Sequence, residues 1–237
     1  MKKILLLIIL INPSIIKSQP VFKNPGIPES ESFEITNYIS KEIGFVTTKI
    51  EIKTEEKNHV KYYHILVNEG NIYSNDIEVN YNDLTTISEK RVDLKTNNII
   101  EYYTKSNNLV HFFNSEKKIN KNFQVSDNNI YSRYAFFFSF RGFPFESANS
   151  VTFKSYMFEY GDALTMKVNN LGKKTVTVKA GSYNCYKLEL SVSGWQSIFA
   201  SDKYYLYFNV EKPHSFIKYE ENDDGVMNAN DLINIIK

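Results

Sequence analysis

Histidines, a thiol and clustered carboxylates are the side chains here that could do chemistry, and their spacing gives them little to work with. The four histidines are His59, His64, His111 and His214. None falls in a His-x-His or His-Glu-x-x-His pair, so local metal-ligand spacing is absent. On a strand over 60–67, alternation sets His64 on one face with Val60, Tyr62 and Leu66, the position of a histidine packed beside tyrosines. Enzymatic chemistry would need two of His64, His111 and His214 to converge from distant strands. Cys185 is the single cysteine. A thiol of ordinary pKa, about 8.5, is mostly protonated at neutral pH. Lys187 lies two positions on, but no histidine neighbours Cys185 in sequence to act as base, so a structural strand cysteine is expected.

Glu220 to Asp231 partly matches a calcium loop. With Gly225 as the sixth position, Glu220, Asn222, Asp224 and Asp231 take ligand positions one, three, five and twelve. The match departs where it matters, with Glu in place of the first Asp and Asp in place of the bidentate Glu. A strand also precedes it where a helix should, and an acidic turn ending the last strand is the plainer reading. Adjacent acids such as Glu55-Glu56 point to opposite faces of a strand. No Gly-x-Ser-x-Gly elbow or phosphate-cradling glycine loop occurs. The residues therefore predict no catalytic group, no metal set and no cofactor.

The elements that would position these groups are mostly strands. Segments 45–52, 60–67, 72–80, 85–94, 98–105, 109–114 and 119–125 are rich in β-branched and aromatic residues, with Asn, Asp, Gly and Lys clusters between them. Further strands are expected at 151–160, 163–169, 174–179, 183–193, 203–210 and 215–220. Between the two sets, Ile130 to Arg141 is apolar nearly all round. Ser126-Asp127-Asn128 offers an N-cap, and Gly142 and Pro144 a stop. The spacing predicts a helix over 130–141, with a buried strand as the rival reading. Residues 228–236 predict a short closing helix, with Leu232, Ile233 and Ile236 on one face.

The amino terminus carries the pattern of a cleavable export signal. Lys2 and Lys3 precede the eight apolar residues Ile4 to Ile11, Asn12-Pro13-Ser14 breaks the run, and Ser18 precedes Gln19. A membrane anchor needs about 20 apolar residues. Residues 1–18 are expected to be removed, leaving no transmembrane segment and, with no cysteine nearby, no lipid-modified anchor. Removing Lys2, Lys3 and Lys17 takes the formal charge from +1 to −2. Lysines alternate with acids along the chain, so the basic stripe of a nucleic-acid binder is missing. A lone cysteine forbids an internal disulfide, leaving packing to stabilise one β-rich domain over 19–237.

The order of several short pieces resembles a known family. Asn129 to Pro144, Val151-Thr152-Phe153 and Thr175 to Leu190 follow one another as in the secreted bacterial family called domain of unknown function 3108. Val178 to Leu188 matches best: a strand, Ala-Gly with a small hydroxyl residue, an aromatic, Cys, then Lys-Leu. Tyr204 to Phe208 and Pro213 to Tyr219 correspond to the strands after it. The likeness spans 33–221 and is strongest over 120–221; before Asn120 only Gly44 and the strand spacing agree. It implies a curved antiparallel sheet, a β-roll or half-barrel, wrapped on one aromatic α-helix, with kinship to the lipoprotein-carrier half-barrels. It supplies no catalytic residue.

Aromatics make up 15% of the chain and cluster at 62–63, 102–103, 112–113, 131–145 and 204–208. Most are expected to be core. Space left between the helix and a concave sheet would bind a lipid or other apolar ligand through Tyr134, Phe137, Phe138 and Arg141. Trp195 and Phe199, on a loop, would sit at its mouth. The expected function is a non-enzymatic exported protein, periplasmic or secreted. The alternative is a structural or interaction module that grips an envelope protein or a glycan through exposed Trp195, Phe199 and tyrosines.

Overall fold

The computed structural model describes residues 21–125, 130–157, 162–194, 203–223 and 226–236. Strand alternation decides its inner face. In β3 (Val60–Glu69), Tyr63, Ile65 and Val67 are buried while Tyr62, His64 and Leu66 face outward. β2 (Gly44–Lys57) buries Thr48, Ile50 and Ile52, and β4 (Tyr73–Asn80) buries Asn75, Ile77 and Val79. With β1 (Ser30–Ser40), β5 (Thr86–Asp93), β6 (Asn98–Ser106), β7 (Leu109–Asn114) and β8 (Ile119–Gln124) these form an antiparallel meander.

The chain then passes to the far edge of the same sheet. β9 (Ile130–Ser132) pairs in parallel with β10 (Ser150–Met157). β11 (Asp162–Val178), β12 (Gly181–Val192), β13 (Tyr204–Asn209), β14 (Phe216–Asp223) and β15 (Val226–Ile236) step back toward the centre, where β15 pairs with β1. One curved, open sheet of fifteen strands results among the described residues, running in order from β8 through β1 and β15 to β9. Its outermost strands, β8 and β9, are consecutive in sequence. The chain from Gln124 to Ile130 can span at most about 20 Å, so the sheet has to curl until its edges nearly meet. Contact is made at Ser132, whose N–H donates to Thr86 Oγ1 at 2.9 Å and whose hydroxyl donates to Glu89 Oε2. Strand β9 thus lands on β5. Strands β6 to β8 pass beyond it as a flap with its own small core of Tyr103, Val110, Phe112, Ile130 and Tyr156.

Two expectations about helices need correction. The segment 228–236 is strand, not helix: Leu232, at one helical spacing from Ile236, instead pairs with Ile35 of β1, while Asp231 pairs with Lys218 of β14. The expected helix over 130–141 begins as strand β9 and becomes helical only over 133–142. There a single α-turn, α1 (Phe136–Ser139), is flanked by 3₁₀ turns. Its cap is Ser132, whose side chain accepts from the Tyr134 N–H; Ser126 to Asn128 lie outside the described residues. Gly142 is the last residue of these turns, and a Cβ there would lie 2.5 Å from the Lys23 carbonyl oxygen, so only glycine fits this close approach. The helical turns form a plug rather than an axis. Phe136, Phe138 and Phe140 are buried with Phe22, Tyr131 and Phe153 in the main core, Phe136 stacking on Phe140 at 4.7 Å. Such ring pairs add about 0.5–1.5 kcal/mol each to their area burial.

Candidate functional site

A cavity of about 420 Å³, open on one side, lies between the two halves of the curved sheet, with the helical turns forming part of its wall. Ile35, Ile50 and Val67 come from the amino-terminal half; Met166, Leu190, Leu206 and Phe216 come from the carboxy-terminal half; Phe136 and Phe137 come from the plug. Asn37, Tyr38, Tyr204 and Asn230, all half-buried, supply polar groups.

One wall is unusual. Asn75, Arg91, Glu101 and Asn114 stand directly opposite one another on β4, β5, β6 and β7, all inward and buried. Together with Glu69 on β3 they form a polar row across a face where apolar residues are the rule. Glu69 and Arg91 make a two-pronged ion pair, Nη1 to Oε1 at 2.9 Å and Nη2 to Oε2 at 2.8 Å. Asn75 donates to Glu69 Oε1 at 3.0 Å and accepts from Arg91 Nη1 at 3.0 Å. Tyr73 and Tyr134 approach the guanidinium at 4.2 and 5.0 Å from their ring centres. Asn114 donates to Glu101 at 2.7 Å. Glu69, Asn75 and Arg91 border the cavity, as do Arg133 and Tyr134, joined by an Nη2 to Oη hydrogen bond of 2.7 Å. Burial pushes the Tyr134 phenol up, against the pull of Arg133 and Arg91.

Behind this wall burial pushes Glu89 up to about 8, against the Ser132 hydroxyl that donates to it, and Glu101 is raised by burial as well. Glu89 therefore keeps its proton in the folded protein between pH 4.5 and about 8, where the unfolded chain has lost it. The folded state binds more protons in that window, so stability falls as pH rises through it. The midpoint of thermal unfolding is expected to be lower at pH 9 than at pH 6. Glu89→Gln should flatten that profile; a wild-type profile already flat would place Glu89 in contact with water.

The structure distributes the expected site residues unevenly. Tyr134 and Phe137 line the cavity, Phe137 lying edge-on to Phe33 and Phe216 at 6.2 Å each. Phe138 and Arg141 do not. Phe138 is fully buried, edge-on to Tyr63 at 5.0 Å. Arg141 is buried in an ion pair with Glu31, and its Nε donates to the Pro213 carbonyl at 3.1 Å, tying the plug to β1 and to the turn before β14. Trp195 and Phe199 lie outside the described residues. Sequence reasoning missed Glu69, Asn75, Arg91 and Arg133. The available signal was a polar residue at an inward position, as where Tyr63, Ile65 and Val67 are followed by Glu69.

The remaining reactive side chains have local partners. His64 bonds Glu55 and Asp76, His111 bonds Tyr102 and Asn120, and His214 bonds the Asn209 carbonyl. Cys185 is buried and pushed up to about 11 by that burial. Glu220 and Asp231 share Lys218, at 3.1 and 3.6 Å, across the β14–β15 hairpin, while Asp224 and Gly225 lie outside the described residues. Among the described residues no three metal-ligating side chains gather, and no helix is long and apolar enough to cross a membrane.

No protein-family model matches the chain, and no curated protein matches it either, so the likeness to domain of unknown function 3108 is not shown. Among solved structures, the chain is similar to a β-barrel-like protein of domain of unknown function DUF1849 from Brucella abortus. Identity is 6% and the TM-score 0.44, over 87% of this chain and 95% of that one. A candidate lipoprotein from Parabacteroides distasonis aligns at 12% identity with a TM-score of 0.36, over 92% of this chain and all of that one. A candidate exported protein with YmcC-like fold from Bacteroides fragilis aligns at 10% identity with a TM-score of 0.29, over the same shares. Likenesses this distant carry no argument about function, and the cavity has to be read from its own chemistry.

Proposed function

We propose that the chain is a non-enzymatic exported binding protein that holds one small amphipathic molecule, a lipid or another ligand with an apolar body, between the two halves of its sheet. The observation that carries this reading is the cavity of about 420 Å³ with aliphatic and aromatic floor and polar wall. Ligand sites are typically clefts of about 300–1,000 Å³, mostly apolar with a few placed polar groups. Export rests on the leader pattern of residues 1–18 and predicts an intact mass beginning at Gln19.

The test uses N-phenylnaphthylamine, an uncharged fluorophore that brightens in apolar surroundings. It should saturate at one equivalent per chain. Val67→Phe, which points a ring into the space, should weaken that binding about ten-fold or more while lowering stability by less than about 1 kcal/mol; a ring forced into packed core would cost about 1–3 kcal/mol. Absence of a saturable signal, or a signal indifferent to Val67→Phe, removes the reading.

A further inference from the structure

Resting on that reading of the cavity, we infer that the polar end of its ligand carries no net charge: an uncharged amphiphile of the monoacylglycerol or fatty-alcohol class, and not a free fatty acid. Among the described residues, the charged side chains bordering the cavity are Arg91, Arg133, Glu69 and Glu221, two of each sign. A carboxylate or phosphate entering such a space needs an unspent cation, because an ion taken out of water unpaired is strongly disfavoured.

Arg91 is not available. Both of its terminal nitrogens are engaged, Nη1 by Glu69 and Asn75 and Nη2 by Glu69, and two tyrosine rings stand over it. An anionic headgroup could reach it only by displacing Glu69, which would leave that buried carboxylate bare. Arg133 is held on the Tyr134 hydroxyl, and Glu221 on the same border stands against it as Glu69 does against Arg91. With two formal charges of each sign on its walls, the cavity has no excess of positive charge to attract an anion. A cationic headgroup meets the same balance with the signs exchanged, since Glu69 is committed to Arg91 and Glu221 accepts from the Tyr219 hydroxyl at 3.0 Å. What the walls do offer is neutral hydrogen bonding. The Thr48 hydroxyl is fully buried with no hydrogen-bond partner, and the amides of Asn37 and Asn230 border the same space. Hydroxyls and esters match these groups without disturbing the ion pair.

Three probes with the same twelve-carbon chain separate the cases: dodecanoylglycerol, dodecanoate and dodecyltrimethylammonium, each titrated calorimetrically into wild-type protein near neutral pH. The neutral probe is expected to bind about ten-fold tighter than either ion, or better. Dodecanoate or the cation binding as tightly as dodecanoylglycerol overturns the inference while leaving the cavity reading intact. Failure of all three to bind, with the fluorophore also silent, brings down both. Glu69→Gln supplies an independent arm, because it keeps the shape of the side chain and leaves Arg91 with an unbalanced charge. In that variant, checked for its fold by circular dichroism, the preference should shift toward dodecanoate by about ten-fold; an unchanged ratio means that Glu69 does not set the charge of the site.

Discussion

Arg91→Met is expected to lower the free energy of unfolding by about 3–5 kcal/mol, the loss seen when one member of a buried ion pair is removed. For a domain of this length that is roughly 6–20 °C in the midpoint of thermal unfolding. The physical source is Glu69 more than the lost attraction. Glu69 is only 5% exposed, and without the guanidinium its carboxylate keeps the Asn75 amide alone. The double variant Glu69→Leu with Arg91→Met should therefore recover much of the loss, because apolar replacement of a whole buried pair is often neutral or stabilising. Chemical denaturation of the two single variants and the double variant measures the coupling. Single variants within about 1 kcal/mol of wild type would mean the polar row is in contact with water, and the charge argument for the cavity would fail with it.

Phe138→Ala should cost a similar amount, about 3–5 kcal/mol, for a different reason. The ring is fully buried, edge-on to Tyr63, and a guanidinium carbon of Arg141 lies 5.8 Å from its centre. Removing it leaves a hole between the plug and β3 that neither a curved sheet nor a helical turn pinned by Arg141 can close. Phe137→Ala makes the contrast. Phe137 is half-buried and already borders empty space, so the truncation enlarges an existing cavity and should cost clearly less. Equal losses at 137 and 138 would contradict the placement of the cavity on the Phe137 side.

Most strands were legible because one rule decides them: a half-buried strand alternates, as β4 does throughout and β2 and β3 do where they cover the core. The errors fall where a partner distant in sequence chose the conformation. Ile130 to Ser132 carry a helical-looking pattern, yet they pair in parallel with Lys154 to Tyr156. Leu232, Ile233 and Ile236 fit a helical stripe, yet β1 on one side and β14 on the other require an extended chain there. The site was half legible for a related reason. Helical spacing groups Tyr134, Phe137, Phe138 and Arg141 on one face of the segment. The fold instead sets Tyr134 and Phe137 against open space and buries Phe138 and Arg141. The polar row was hidden because its members lie on five different strands, and none stands out until register sets them side by side.

The meeting of β1 with β15 constrains how the molecule is made. A backbone N–H of Asp231 reaches Thr36 Oγ1 across 195 positions of chain, and contacts so distant are entropically opposed and form slowly. Until the last strand is available, a growing chain holds two unfinished sheets, each with a raw margin at what will become the centre of the molecule. Such margins invite pairing with other chains. The closing strand is therefore also a guard, and a product cut short before Val226 would be a sticky one.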